Sequence, residues 1–226
     1  MRGATAASPL GGREHADPNH LGHTGHSASQ ARGRGEGGPA PKRIITGYGF
    51  WIFLLSDIII FAALFATYAV LQDATADGPT GAQLFDVRSA AMETVCLLLS
   101  SFTCGLAGLA LVARRMLAFQ AAMAVTFLLG AAFLALEFVE FVSLVAQDAG
   151  PTRSAFLSAF FTLVGCHGLH VTVGLLWLLT MMAQVFAKGF RGDIIRRVMC
   201  FSLFWHALDI VWVAILTVVY LMGVTS

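Results

Sequence analysis

The chain has 226 residues, of which 57% are hydrophobic and 12% charged, and a formal net charge of +1. A water-soluble domain of that size has too much surface for its volume to hide so many apolar side chains, so the composition excludes that class and predicts a multi-span membrane protein. The basic residues are scattered in pairs and the aromatics lie in oily runs, which excludes a nucleic-acid binder.

The first stretch, "MRGATAASPLGGREHADPNHLGHTGHSASQARGRGEGGPAP", is rich in Gly, Ala, Ser, His and Pro and nearly free of large apolar residues. It cannot bury enough surface to offset chain entropy, which predicts a disordered, His/Gly-rich cytoplasmic tail over residues 1–46. His15, His20, His23 and His26 are irregularly spaced, so they read as part of a solvated tail and not as a metal site.

Residues 47–226 read as one membrane domain with five apolar runs, at 48–71, 93–113, 117–144, 155–186 and 198–222. Crossing a hydrocarbon core of about 30 Å takes about 20 helical residues, and every run is long enough. Each run must be a helix, because lipid offers no partner to exposed backbone N–H and C=O groups. The first run starts too late and is too long for the core of a secretory signal, so it reads as a signal-anchor span.

Lys42, Arg43, Arg114, Arg115, Lys188, Arg191, Arg196 and Arg197 fall on one side of the five spans. Arg88 and Arg153 fall on the other, among Asp73, Asp77, Asp86 and Asp148. The positive-inside rule then predicts an all-α bundle of five transmembrane helices, with the N-terminus cytoplasmic and the C-terminus periplasmic. Ala62 and Ala66, Gly105 and Gly108, Ala131 and Ala135, and Gly165, Gly168 and Gly174 are candidates for close helix contact. Cys96, Cys104, Cys166 and Cys200 form no Cys-x-x-Cys pair and read as small buried hydrophobes.

Eight polar residues sit in or at the ends of the spans: Asp57, Glu93, Glu137, Glu140, His167, His170, His206 and Asp209. Such groups are costly in a bilayer and face the bundle interior. Glu137 with Glu140, His167 with His170, and His206 with Asp209 are each three residues apart, which puts each pair on one helix face. Four readings compete. A metal site has chemically adequate ligands here, but no span carries Glu-x-x-His. A haem held between His167 and His206 is sterically conceivable. A proton path is the default for intramembrane acids, with Asp57, Glu93, Glu137 and Glu140 as its candidates. Alternatively the groups bond one another and hold the helices in register, which suits a His206–Asp209 pair.

Five segments carry a resemblance: "GFWIFLLSDIIIFAALFATYAVL", "ETVCLLLSSFTCGLA", "LGAAFLALEFVEF", "RSAFLSAFFTLVGCHGLHVTVGLLWL" and "FSLFWHALDIVWVAILTVVYLMG". Together they resemble subunit III of the haem–copper respiratory oxidases, within it most the bacterial cytochrome bo-type ubiquinol oxidase branch. The specific signal is HGLHV followed, on the next span, by WHxxDxVW. The resemblance implies an accessory subunit of a proton-pumping ubiquinol oxidase in the bacterial inner membrane, not catalytic by itself. It implies no cofactor or metal in this chain, with haem and copper in the partner, subunit I. Subunits II and IV and membrane phospholipids are further implied partners. The implied role is assembly and stability, lipid binding, and proton uptake or oxygen supply to the catalytic subunit. Glu137, His167, His170, His206 and Asp209 match the family's intramembrane polar set, and Asp57 stands where many relatives have glutamate. The alternatives are a five-span cytochrome c or menaquinol oxidase subunit, a stand-alone haem- or metal-binding redox protein, and a small transporter. The last is disfavoured because no span contains proline.

Overall fold

A computed structural model describes residues 42–76, 84 and 86–225. The tail expected over 1–46 therefore falls mostly outside the described residues, but its end is corrected, because the first helix begins at Lys42. The helices are α1 (Lys42–Leu71), α2 (Val87–Val112), α3 (Met116–Ala146), α4 (Ala155–Lys188) and α5 (Gly192–Ile215). α5 runs on without a break through a π-helical turn, Leu216–Leu221, and a last α turn, Met222–Thr225. Among the described residues, five helices are long and apolar enough to cross a membrane, as expected.

Like α1, α2 and α5 start earlier than hydropathy predicts. α2 begins at Val87 because the Asp86 carboxylate caps it, accepting from the Arg88 N–H at 2.9 Å. α5 begins at Gly192, with Asp193 in its first turn beside the free N–H groups and positive end of the helix. Hydropathy marks where a helix enters lipid, whereas caps mark where the helix begins. The connections between α2 and α3 and between α4 and α5 are tight reversals, with Arg114 (φ 54°) and Gly189 (φ 68°) in the left-handed region.

The packing order is not the chain order. α2 and α3 form a hairpin with the most extensive interhelical interface. α4 and α5 pack on each other, and meet that hairpin through α4 on α3 and α5 on α2. α1 packs on the far side of the α4–α5 pair. Much of α1 faces outward, with Tyr48, Trp51, Ile52 and Ile59 more than half exposed.

Trp205 of α5 joins the elements. Its ring is wedged where a Cβ on Gly130 of α3 would meet it at 3.0 Å and one on Gly174 of α4 at 2.9 Å. Its Nε1–H donates to Ser100 Oγ of α2 at 3.1 Å. One side chain thus touches three neighbouring helices, and two glycines make room for it. Gly168 is a second close approach, with the Glu137 carboxylate filling the space a side chain would take. Gly105 and Gly108 have nothing within 4 Å of a built Cβ, so the expected close contact there is not made. Small residues relieve crowding only where a large partner arrives, and none arrives at that face of α2.

Candidate functional site

The eight polar residues divide into three groups. The first ties α1 to α4. His170 Nε2 lies 3.0 Å from Asp57 Oδ1, and its Nδ1 lies 2.6 Å from the carbonyl oxygen of Cys166, one turn earlier on the same helix. The Cys166 carbonyl can only accept, so Nδ1 carries a proton. Nε2 and the Asp57 carboxyl are hydrogen-bond partners. The short aspartate side chain reaches the imidazole. Phe61 covers the pair, its ring centroid 5.1 Å from that of His170.

His167, three residues earlier on the same helix, is placed quite differently. It is fully buried, stacked on Trp212 at 5.3 Å, with the edge of Phe133 at 5.8 Å. Neither ring nitrogen has a hydrogen-bond partner among the described residues. His206 Nδ1 makes its bond at 2.6 Å to Ser101 Oγ of α2. The haem reading receives no support from this geometry. Among the described residues no three His, Cys, Asp or Glu side chains are grouped so as to hold a metal ion.

The second group is a ladder between α2 and α5. Trp212 Nε1–H donates to Thr94 Oγ1 at 3.0 Å, Trp205 to Ser100, and His206 Nδ1 meets Ser101 Oγ. Cys104 Sγ approaches Ser202 Oγ at 3.8 Å. From Thr94 to Cys104 on α2 the partners run from Trp212 back to Ser202 on α5, which is the register of two antiparallel helices. Thr94 and Ser100 also donate back to the carbonyls of Ala90 and Leu97, both at 2.7 Å, so each hydroxyl gives one bond and receives one. The expected bond between His206 and Asp209 is not the one made. Ser101 of the facing helix takes the imidazole, and Asp209 Oδ1 has no partner among the described residues. Side chains three apart share a helix face, and a residue arriving from the opposite helix can intervene.

The third group is acidic. Glu93 of α2 is fully buried and Glu137 of α3 nearly so. Glu140 accepts from Tyr220 Oη at 3.1 Å. Tyr220 lies in the π turn, where the wider winding shifts side chains out of the α-helical sequence of directions. The three carboxyl groups are near enough to act on one another electrostatically.

The cytochrome c oxidase subunit III family model matches residues 35–224. The chain belongs to that family. It is 49% identical over 210 residues to the cytochrome bo(3) ubiquinol oxidase subunit 3 of Pseudomonas aeruginosa, covering 92% of this chain and 94% of the relative. The Pseudomonas putida protein of the same name is 51% identical over 180 residues, 80% of this chain and 87% of that one. The cytochrome c oxidase subunit 3 of Bacillus sp. (strain PS3) is 45% identical over 178 residues, 79% and 86% of the two chains. The P. aeruginosa match covers more than the helical part of this chain, so it reaches into the N-terminal stretch, for which the sequence resemblance offered no counterpart. Membership makes the chain an integral membrane subunit of a terminal oxidase.

Sequence reasoning found all eight of these polar residues but missed their partners. Thr94, Ser100, Ser101, Trp205, Trp212 and Tyr220 complete the ladder and the acidic group. One signal was available: Trp205 and Trp212 are seven apart on one face, and Thr94 and Ser101 are seven apart on another.

Proposed function

We propose that the chain is the third subunit of a bacterial ubiquinol oxidase in the inner membrane, holding helices in place beside a catalytic subunit without carrying a redox centre. One observation supports this most directly. The three histidines of the spans are spent on interhelical bonds, His170 on Asp57 and His206 on Ser101, or enclosed by aromatics, as His167 is. Subunit I, with haem and copper, is the main neighbour, and subunits II and IV complete the complex. The charge asymmetry of the loops supports an N-terminus in the cytoplasm and a C-terminus in the periplasm.

A lipid role fits a second feature. Ile58, Phe61, Ala62 and Phe65 of α1 and Ala207 and Ile210 of α5 line an apolar groove of about 300 Å³. It suits an acyl chain. Proton uptake and oxygen supply to subunit I are the further services this reading assigns to the chain.

The test is affinity purification of the tagged chain from detergent-solubilised membranes, with metal analysis and an absorption spectrum. The expected result is co-purification of a large haem-bearing subunit and ubiquinol-dependent oxygen uptake. The free chain, purified alone, should then hold no stoichiometric haem, copper or zinc. A haem band or bound metal in the lone chain overturns the accessory reading.

A further inference from the structure

The acidic group is more than three residues. On α2, Asp86, Ser89 and Glu93 follow one another at helical spacing, and on α3 so do Gln147, Ser143, Glu140 and Glu137. Asp86, Ser89, Glu140, Ser143 and Gln147 line a recess of about 270 Å³ between the two helices. Gln147 Nε2 donates to Ser143 Oγ at 3.1 Å. At a rise of about 1.5 Å per residue, this polar file leads roughly 10–15 Å inward from the cap of α2 and the end of α3. It ends at Glu93 and Glu137, deep in the bundle.

Those two acids are left with hydrogen-bonding capacity to spare. Glu93 is fully buried and both its carboxyl oxygens lack a hydrogen-bond partner among the described residues, as does Oε2 of the nearly buried Glu137. The titratable groups that face them are Glu140 from α3, Tyr220 from the end of α5, and Asp86 towards Glu140 at the mouth. α4 presents the backbone of Gly168 to Glu137, with His167 the neighbouring titratable residue. No lysine or arginine is among these groups. Buried carboxylates without a cation are too costly to persist as such, and the unmet oxygens call for donors. The carboxyl oxygens do not converge as metal ligands do. Protons and the water that carries them are the ligand that fits a file of hydroxyl, amide and carboxyl groups.

We infer that Glu93, Glu137 and Glu140 form a hydrated proton-binding site, filled through the recess between α2 and α3 and separate from the Asp57–His170 pair. Opposite the end of the bundle that carries Arg114, Arg115, Lys188 and Arg191 lies the Asp86 and Gln147 end of the recess. With the proposed orientation, that is the periplasmic face. The site therefore exchanges protons with the outer side, and cannot take them up from the cytoplasm for subunit I. The sidedness rests on the proposed orientation, whereas the site itself does not.

Infrared difference spectroscopy on the intact oxidase complex tests this. The wild-type minus Glu93→Gln spectrum at neutral pH should contain the C=O stretch of a protonated carboxyl group, and that band should shift in D2O. Carboxylate bands in its place, moved by added sodium or calcium, would make this a cation site and overturn the inference. So would a C=O band that never exchanges in D2O, which marks a sealed structural acid. Where Glu93→Gln fails to assemble, Ser89→Leu supplies the second arm, because it fills the recess and leaves all three acids in place. It should keep the wild-type band and slow its exchange severalfold, and unchanged exchange overturns the route. Ser89→Cys blocked by a membrane-impermeant thiol reagent added to right-side-out vesicles reads the sidedness, with the parent chain as control. Blocking only from the inner side refutes the outward opening. Co-purification with the haem-bearing subunit, measured on the same preparations, reports the accessory role independently.

Discussion

α1 rests on α4 and α5, whereas α2, one arm of the α2–α3 hairpin, rests on α5, and the two helices are attached by different means. α2 meets α5 along a ladder in which hydroxyls and indoles satisfy one another, with Trp205 reaching past it to Gly130 and Gly174. α1 is joined to α4 by the Asp57–His170 pair, and ring contacts such as Phe50 with Trp177 and Phe61 with His170 lie beside it. The comparison teaches that attachment in this bundle is a matter of distribution. Where lipid gives helices no hydrophobic reason to associate, many small complementary contacts fix one helix, and a single bond locates another.

The heaviest blow to the α2 side is Trp205→Ala, which removes the wedge and one ladder bond together. It should cost about 3–5 kcal/mol of stability, read as a fall in the denaturant midpoint of the detergent-solubilised complex. Gly174→Ala attacks the same contact from α4, placing a methyl 2.9 Å from the indole. Its expected cost is about 1–3 kcal/mol, and a double variant with Trp205→Phe should recover part of it. On the α1 side, Asp57→Ala should cost about 1–2 kcal/mol and raise proteolysis of α1 ahead of the rest of the chain. Asp57→Asn keeps a hydrogen bond to His170, so the assembled complex should reduce oxygen at close to the unaltered rate. Smallest is Ser101→Ala, at about 0.6 kcal/mol, because the other bonds of the ladder remain. A Ser101→Ala loss as large as that of Asp57→Ala would erase the distinction between the two attachments.

Most of the fold was legible in the sequence, because hydropathy over about 20 residues is a sum and tolerates local error. Helix starts were not, since Asp86 and Asp193 act on single backbone groups that hydropathy does not weigh. The polar residues were also legible individually, because each is conspicuous in an apolar run. Their pairing was not. Asp57 and His170 are 113 residues apart, and nothing local to either announces the other. Local reasoning paired His206 with Asp209, when the partner was Ser101 on another helix. Gly105 and Gly108 looked like packing residues and are not, whereas Gly130 was overlooked and is. What decides such cases is which large side chain comes across from a neighbour, and Trp205 approaches from a helix remote in sequence.

The position of α1 also has a consequence for biogenesis. It leaves the ribosome before its packing partners, α4 and α5. During that interval Asp57 sits in the bilayer without His170, and α1 is held mainly by its own apolar length. A carboxyl in mid-helix sets insertion back by about 2.5–3.5 kcal/mol, which the Ile and Phe residues around it offset. The His170 that later meets Asp57 therefore works as a latch, closing on a helix that has been waiting since the start of synthesis.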